Sequence, residues 1–241
     1  MKNKIRLGVN VDHIATLRQV RGGTTVYPDL LHFVKEAKAG GAQQITIHLR
    51  EDARHIQLSD LILLSKKCPV LLNLEMAATA DMQKLALKYS PDWCCLVPEK
   101  REELTTEGGL NIVKYFQRIK KITQKLNQNK IQVSHFIEPD LRQTFASSEC
   151  GAKAVEFHTG HWVLLKGAQK KTEWLRLVAA ARFAHSLGMN VHAGHGLDFE
   201  HSRFMRHLPF IQEVNIGHSL VCYALENGFR SAVQKMKKQL S

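Results

Sequence analysis

Along the chain, short runs of alternating or β-branched apolar residues give way to longer stretches with apolar positions three and four apart, and the exchange of periods recurs eight times. The strand-like runs cover residues 5–11, 44–49, 70–74, 93–97, 132–137, 154–158, 190–193 and 213–216. Between them, stretches such as 111–126 place Ile112, Val113, Phe116, Ile119, Ile122 and Leu126 on one helix face. Pro28-Asp29, Pro139-Asp140 and Thr172-Glu173 are helix-opening signals, and Gly40-Gly41, Gly151 and Gly188 are closing ones, while Gly108-Gly109 precedes the long fourth helix. Strand alternating with helix requires parallel pairing through crossovers. Eight such units within 241 residues, with no linker or shift of composition, predict an α/β chain folded as a single (β/α)8 TIM barrel over residues 1–241.

The two faces of the predicted strands differ. Val9, Val11, Ile45, Ile47, Leu72, Leu74, Val155, Phe157, Val214 and Ile216 form an apolar set suited to lie beneath helices. The alternate positions carry Asn10, Asp12, Thr46, His48, Arg50, Asn73, Glu75, Glu156, His158, His192, Asn215 and Gly217. Burying that many polar groups costs several kcal/mol each unless they are paired or wet, so a polar lumen opening on a substrate site is expected in place of a dry barrel core.

Composition narrows the setting. The N-terminus has no signal-peptide pattern and no run approaches the length of a membrane helix, so the expectation is a cytoplasmic protein without a membrane partner. Five cysteines without a CxxC pair argue against a disulfide framework or zinc ribbon and are expected in or near the core. A net charge of +12 favours anionic partners, although Lys120, Lys121, Lys125, Lys235, Lys237 and Lys238 read as solvated helix faces. The basic charge alone would allow nucleic-acid binding, but no nucleic-acid motif accompanies it, and none is expected.

Candidate chemistry collects at the strand ends, where barrels assemble their sites: Asp12-His13, His48-x-Arg50 with His55, Glu75, Glu99-Lys100, Glu156-x-His158, Gly194-His195-Gly196 and Gly217-His218. His48, Glu75 and His195 can exchange protons near neutral pH. Arg21 and Arg50 suit bidentate contacts to phosphate or carboxylate. Glycines after the seventh and eighth strands, with a helix starting near Ser219, fit an anion at backbone N–H groups, so a small phosphorylated ligand is expected. The histidines lack metal-ligand spacing, and no metal is expected. A Schiff base on Lys100 would make a phosphosugar aldolase, the rival enzyme reading.

The segments GVNVDHIATLRQVRGG, ITIHLREDARHI, LNLEMA, CCLVPEKREELTTEGGL, VEFHTG, AGHGL and NIGH, spread over residues 8–218, resemble in order those of the pyridoxine 5'-phosphate synthases of the deoxyxylulose-phosphate-dependent vitamin B6 pathway. The resemblance implies a barrel with extra helices and a homo-octamer. It also implies condensation of 3-amino-2-oxopropyl phosphate with 1-deoxy-D-xylulose 5-phosphate to pyridoxine 5'-phosphate, inorganic phosphate and water, without metal or organic cofactor. Matched by motif, His48 and Glu75 resemble general acid/base groups, His195 the proton donor and Glu156 a transition-state stabiliser. Asn10, Gly196, Gly217 and His218 would hold the aminoketone phosphate, and Asp12, His13, Arg21, Arg50, His55 and Thr105 the deoxyxylulose phosphate. Glu51 and Asp52 would orient their basic neighbours. Three departures stand out: an extra residue after Arg21, the segment HWVLLKGAQ after Gly160, and His192 in place of an expected asparagine.

Overall fold

A computed structural model describes residues 5–22, 24–105 and 108–241; Gly23, Thr106 and Glu107, which belong to two of the resembling segments, lie outside the described residues. Eight strands, β1 (Arg6–Asn10), β2 (Gln44–His48), β3 (Leu71–Met76), β4 (Trp93–Leu96), β5 (Gln132–Ile137), β6 (Ala154–His158), β7 (Asn190–Gly194) and β8 (Ile211–Ile216), pair in parallel and in chain order. β8 returns to β1 and closes the barrel. Around it run α1 (Asp12–Gln19), α2 (Leu30–Gly40), α3 (Leu58–Lys67), α4 (Ala80–Tyr89), α5 (Phe116–Gln128) and α6 (Leu141–Glu149). The second half adds α7 (Gly160–Leu164), α8 (Gly167–Ser186), α9 (Phe199–Phe204), α10 (His218–Asn227) and α11 (Phe229–Gln239).

The outward strand residues Val9, Ile45, Ile47, Leu74, Val155, Phe157 and Val214 are fully buried under helix residues that include Val34, Leu61, Ile119, Leu177 and Val233. Each such side chain contributes roughly 1.5–3 kcal/mol on leaving water, and this layer is the main stabilising core. Helix ends follow local chemistry. Asp29 accepts the Leu31 N–H, Asp140 accepts those of Arg142 and Gln143, and Gly41 closes α2 in the left-handed region.

Two helix starts differ from the sequence expectation. The fourth-unit helix begins at Phe116, five residues past 111, because Gln143 Oε1 on α6 takes the N–H groups of Ile112 and Val113 at 2.8 and 3.2 Å and holds that segment in turns. Thr172-Glu173 does not open a helix. It lies inside α8, with the Thr172 hydroxyl bonded back to the Ala168 carbonyl at 3.1 Å. The cysteines are free; Cys94, Cys95 and Cys150 are buried and Cys68 partly so, but Cys222 is exposed, away from the core position expected of it.

The lumen is polar and its groups are linked across the strands, although Asn73 Oδ1, Gln44 Oε1 and His192 Nε2 are buried without a hydrogen-bond partner. Asn73 Nδ2 donates to Thr46 Oγ1 at 3.3 Å, Thr46 Oγ1 donates to Asn215 Oδ1 at 3.1 Å, and Asn215 Nδ2 donates to Glu156 Oε2 at 2.8 Å. Lower down, Glu213 accepts from Arg6, Gln44 and Asn215 at 2.9, 2.7 and 3.1 Å. His192 belongs to this layer, its Nδ1 3.4 Å from Glu213 and its ring 5.3 Å from that of Trp93. Gly8 is what admits the network: a side chain there would overlap the Asn215 amide. Pairing across strands offsets part of the desolvation penalty these groups would otherwise impose.

Candidate active site

The lumen opens at the C-terminal strand ends into a cavity of about 920 Å³. Asn10, Asp12, His13, His48, Arg50, His55, Glu75, Glu156, His195, Gly196, Gly217 and His218 all line it. Arg21 and Thr105 do not. Arg21 is exposed beyond α1, where its carbonyl accepts the Thr24 hydroxyl at 2.7 Å, and Thr105 donates its N–H to Gly109 O at 2.7 Å beside the lining residues Leu104 and Gly108. Lys100 is exposed and outside the lining, which removes the basis for a Schiff base there.

At the cavity floor His48 ends β2 between two carboxylates. Its Nε2 lies 3.1 Å from Glu99 Oε1 and its Nδ1 3.8 Å from Glu75 Oε2, while its backbone N–H donates to Asp12 Oδ1 at 2.8 Å. Asn10 fixes the other Asp12 oxygen, donating from Nδ2 at 2.8 Å. Burial, with the charges of Glu156 and Asp12 added, raises the Glu75 carboxyl well above the usual carboxylate range. Asp12 is pushed up to about 6, chiefly by burial against the hydrogen bonds from His48 and Asn10. Glu99 goes the other way: burial would raise it, but bonds from His48 and the Glu51 N–H, with the charges of His48 and Arg50, hold it below its ordinary value.

Glu156, two residues before the end of β6, is buried and pushed up to about 8 by desolvation and by Glu213, against the hydrogen bond from Asn215. A carboxyl so placed is largely protonated at neutral pH and can donate as well as accept. Above it, His195 follows β7 with φ of 71°, held by Thr159 Oγ1, which donates to the His195 carbonyl at 2.7 Å. Its ring lies 4.8 Å from that of His158, and burial with the charge of His158 lowers its proton affinity.

Two sides of the cavity suit anions. On one, Asp52 binds Arg50 Nε at 3.2 Å and Arg54 at 2.6 Å. His55 Nδ1 accepts the Ile56 N–H at 2.8 Å, and burial and the neighbouring His48, Arg50, His13 and Arg54 depress it to about 4, leaving Nε2 as a neutral donor. On the other, Gly217 caps α10, its carbonyl accepting the Leu220 N–H at 3.0 Å while the helix N-terminus presents its leading N–H groups ahead of it, and His218 stands with its ring 5.0 Å from His13. A side chain at Gly217 would press on Asn10 at about 3.0 Å, so glycine is needed for the strand to approach. Donor atoms of Asp12, His48 and Glu75 lie within 4.8 Å of one another, the geometry of a cation site among the described residues. Both Asp12 oxygens, however, already accept hydrogen bonds from His48 and Asn10.

Residues 7–241 match the family described as "Pyridoxal phosphate biosynthesis protein PdxJ". Relatives named pyridoxine 5'-phosphate synthase include one from Bdellovibrio bacteriovorus, 66% identical over 240 residues with both chains covered in full. Another, from Photobacterium profundum, is 46% identical with 99% of this chain and 98% of its own covered. The chain belongs to the pyridoxine 5'-phosphate synthase family. Members are enzymes of vitamin B6 biosynthesis. Among solved structures, a 3-keto-L-gulonate-6-phosphate decarboxylase from Vibrio cholerae superposes with a TM-score of 0.66 at 11% identity, covering 98% of this chain and 97% of its own. That likeness extends to the barrel and no further.

For this synthase-family chain, sequence reasoning left three site residues without a role. Glu99 and His158 stood among the strand-end groups, but only the fold brings Glu99 to His48 and His158 to His195. Glu138 went unremarked. It is the residue just past β5, and that position was the available signal; its Oε1 lies 2.8 Å from His158 Nδ1.

Proposed function

We propose that the cavity condenses 3-amino-2-oxopropyl phosphate with 1-deoxy-D-xylulose 5-phosphate and releases pyridoxine 5'-phosphate, inorganic phosphate and water. The observation that carries this reading is His48 held between Glu75 and Glu99, in a cavity with anion-suited groups on both sides. Joining an amine to a ketone, eliminating phosphate and water, and closing an aromatic ring need repeated proton transfers at neighbouring atoms. Glu75, kept protonatable by burial, and His48 exchange protons at the floor, and His195 donates from above. Glu156, as a neutral carboxyl held by Asn215, hydrogen-bonds charge that develops in the transition state.

Asn10, Gly196, Gly217 and His218 hold the aminoketone phosphate against the α10 N-terminus; Asp12, His13, Arg50 and His55 hold the deoxyxylulose phosphate. Arg21 and Thr105 complete the second set only through movement of their segments or a neighbouring subunit. The reading includes a homo-octamer, and Val20, Val26 and Tyr27, each about three-quarters exposed near Arg21, offer apolar surface for subunit contact. It requires no metal at Asp12, His48 and Glu75.

The test is a product assay with each phosphorylated substrate omitted in turn. Pyridoxine 5'-phosphate should form only when both are present, and its absence with both overturns the assignment. Light scattering measures the assembly, with eight subunits expected.

A further inference from the structure

His158 is a site residue to which the proposed chemistry gives no task, yet the chain invests heavily in its position. It ends β6, and its Nδ1 lies 2.8 Å from Glu138 Oε1, the same oxygen that accepts the Gly109 N–H at 3.0 Å. Arg176 on α8 approaches the other Glu138 oxygen at 3.7 Å and offsets its charge. The glycines around it are there for space. A side chain at Gly109 would strike the backbone at Ile137 and Glu138, and one at Gly160 would lie 2.8 Å from His158 Nε2 and 2.9 Å from His195 Cδ2. Gly160 thus lets two imidazoles meet with ring centres 4.8 Å apart, while Phe136 closes the third side at 5.3 Å from His158 and 6.2 Å from His195.

The carboxylate fixes the tautomer: with the Nδ1 proton committed to Glu138, His158 turns its Nε2 edge toward Gly160 and His195. We propose that Glu138 and His158 form a positioning pair for His195, in which the carboxylate holds the His158 ring so that its charge, when present, bears on His195 and governs when His195 carries a proton. This rests on the reading of His195 as the proton donor. The other ionisable groups nearby are otherwise occupied. Glu156 is bonded to Asn215 within the lumen, Asp198 on the His195 loop is bonded to His201, and Arg176 sits behind Glu138 and also pairs with Glu173. His158 is the ionisable group that His195 meets directly, in keeping with the depression of His195 by burial and by His158.

The direction of change follows. His158→Asn removes the neighbouring imidazole, and Glu138→Gln removes the carboxylate that holds that ring beside His195, so both variants relieve His195 of this neighbour and raise its proton affinity. With histidine labelled by 15N, NMR titration of the substrate-free enzyme should show the His195 midpoint rising by roughly half a unit or more in each variant, with the His195 signal assigned by its loss in His195→Gln. In the product assay, the corresponding limb of the kcat–pH profile should move the same way, with KM for either substrate little changed. A merely structural role would lower the yield of folded protein and leave the midpoint in place. His158→Gln, nearer in size, serves as the second variant should His158→Asn fail to fold. An unmoved His195 midpoint in any folded variant overturns the proposal even if product forms. A moved midpoint in an enzyme that makes no product upholds the pair and overturns the reaction assignment instead.

Discussion

Glu99 closes on the far nitrogen of His48. Its Oε1 lies 3.1 Å from Nε2, and its Oε2 accepts the Glu51 N–H at 3.0 Å, so the carboxylate clamps the imidazole to the loop that follows β2. Glu99→Gln keeps the shape and loses the charge. It should lower kcat by about tenfold or more with little effect on KM, since the group orients an acid/base residue and does not bind substrate. Steady-state kinetics with both substrates checks this, and a wild-type kcat would remove Glu99 from the machinery.

Removing the proton-transfer groups themselves should cost more. Glu75→Gln and His48→Ala are expected to reduce turnover by about a hundredfold or more, the scale for losing a positioned acid or base. Single-turnover measurement on variants with native circular dichroism separates this from misfolding.

Glu156 makes a stability prediction with a definite sign. Its folded value of about 8 lies above the ordinary value of 4.5, so the folded state holds a proton that the unfolded chain releases between those limits. The favourable linkage is complete below about pH 4.5 and is lost as pH rises through about 8. Glu156→Gln keeps an acceptor for Asn215 and removes the ionisation. Its Tm should exceed that of the wild type by several degrees at pH 8–9, at about 2–4 °C per kcal/mol for a chain of this size, and the gap should shrink toward pH 5. Activity should fall in the same variant. Equal melting temperatures across this range would show that Glu156 is not proton-loaded by folding.

The two anion-suited sides should separate kinetically. Arg50→Ala should raise KM for deoxyxylulose phosphate about tenfold and leave that for the aminoketone nearly unchanged. Gly217→Ala, which presses on Asn10, should do the reverse. A common effect of both variants on one substrate would contradict the assigned orientation.

Extended dialysis against a chelator should leave the rate unchanged, because Asp12, His48 and Glu75 are read as a proton-transfer cluster. Loss of activity restored by a divalent cation would convert the same three residues into a metal site.

The alternation of faces made the barrel legible, since Ile45 and Ile47 against Thr46 and His48 is a local pattern and β1, β3, β6 and β8 repeat it. The lumen followed for the same reason. Helix starts were less legible where a distant side chain intervened, as Gln143 does at Ile112 and Val113. The partnerships of Glu99 and Glu138 were hidden for a related cause: each carboxylate meets a histidine from another strand, across a separation that no spacing rule covers. Thr105 was named by resemblance alone and Arg21 also for its guanidinium group, and both stand outside the cavity lining because their places depend on the course of loops. His192, noted in the sequence as standing in place of an expected asparagine, belongs to the Glu213 layer of the lumen.

The hydrogen-bonded lumen bears on how this barrel can change over generations. Dispersion has no direction, so a wall of branched hydrocarbons accepts volume-conserving exchanges one position at a time. Thr46, Asn73, Asn215 and Glu156 hold one another through oriented donors and acceptors on four different strands, and any single exchange leaves a partner elsewhere unmatched. Drift on the helix-facing side can be piecemeal, whereas inside the barrel it must be concerted, and descendants of this chain should differ there in whole compensating sets.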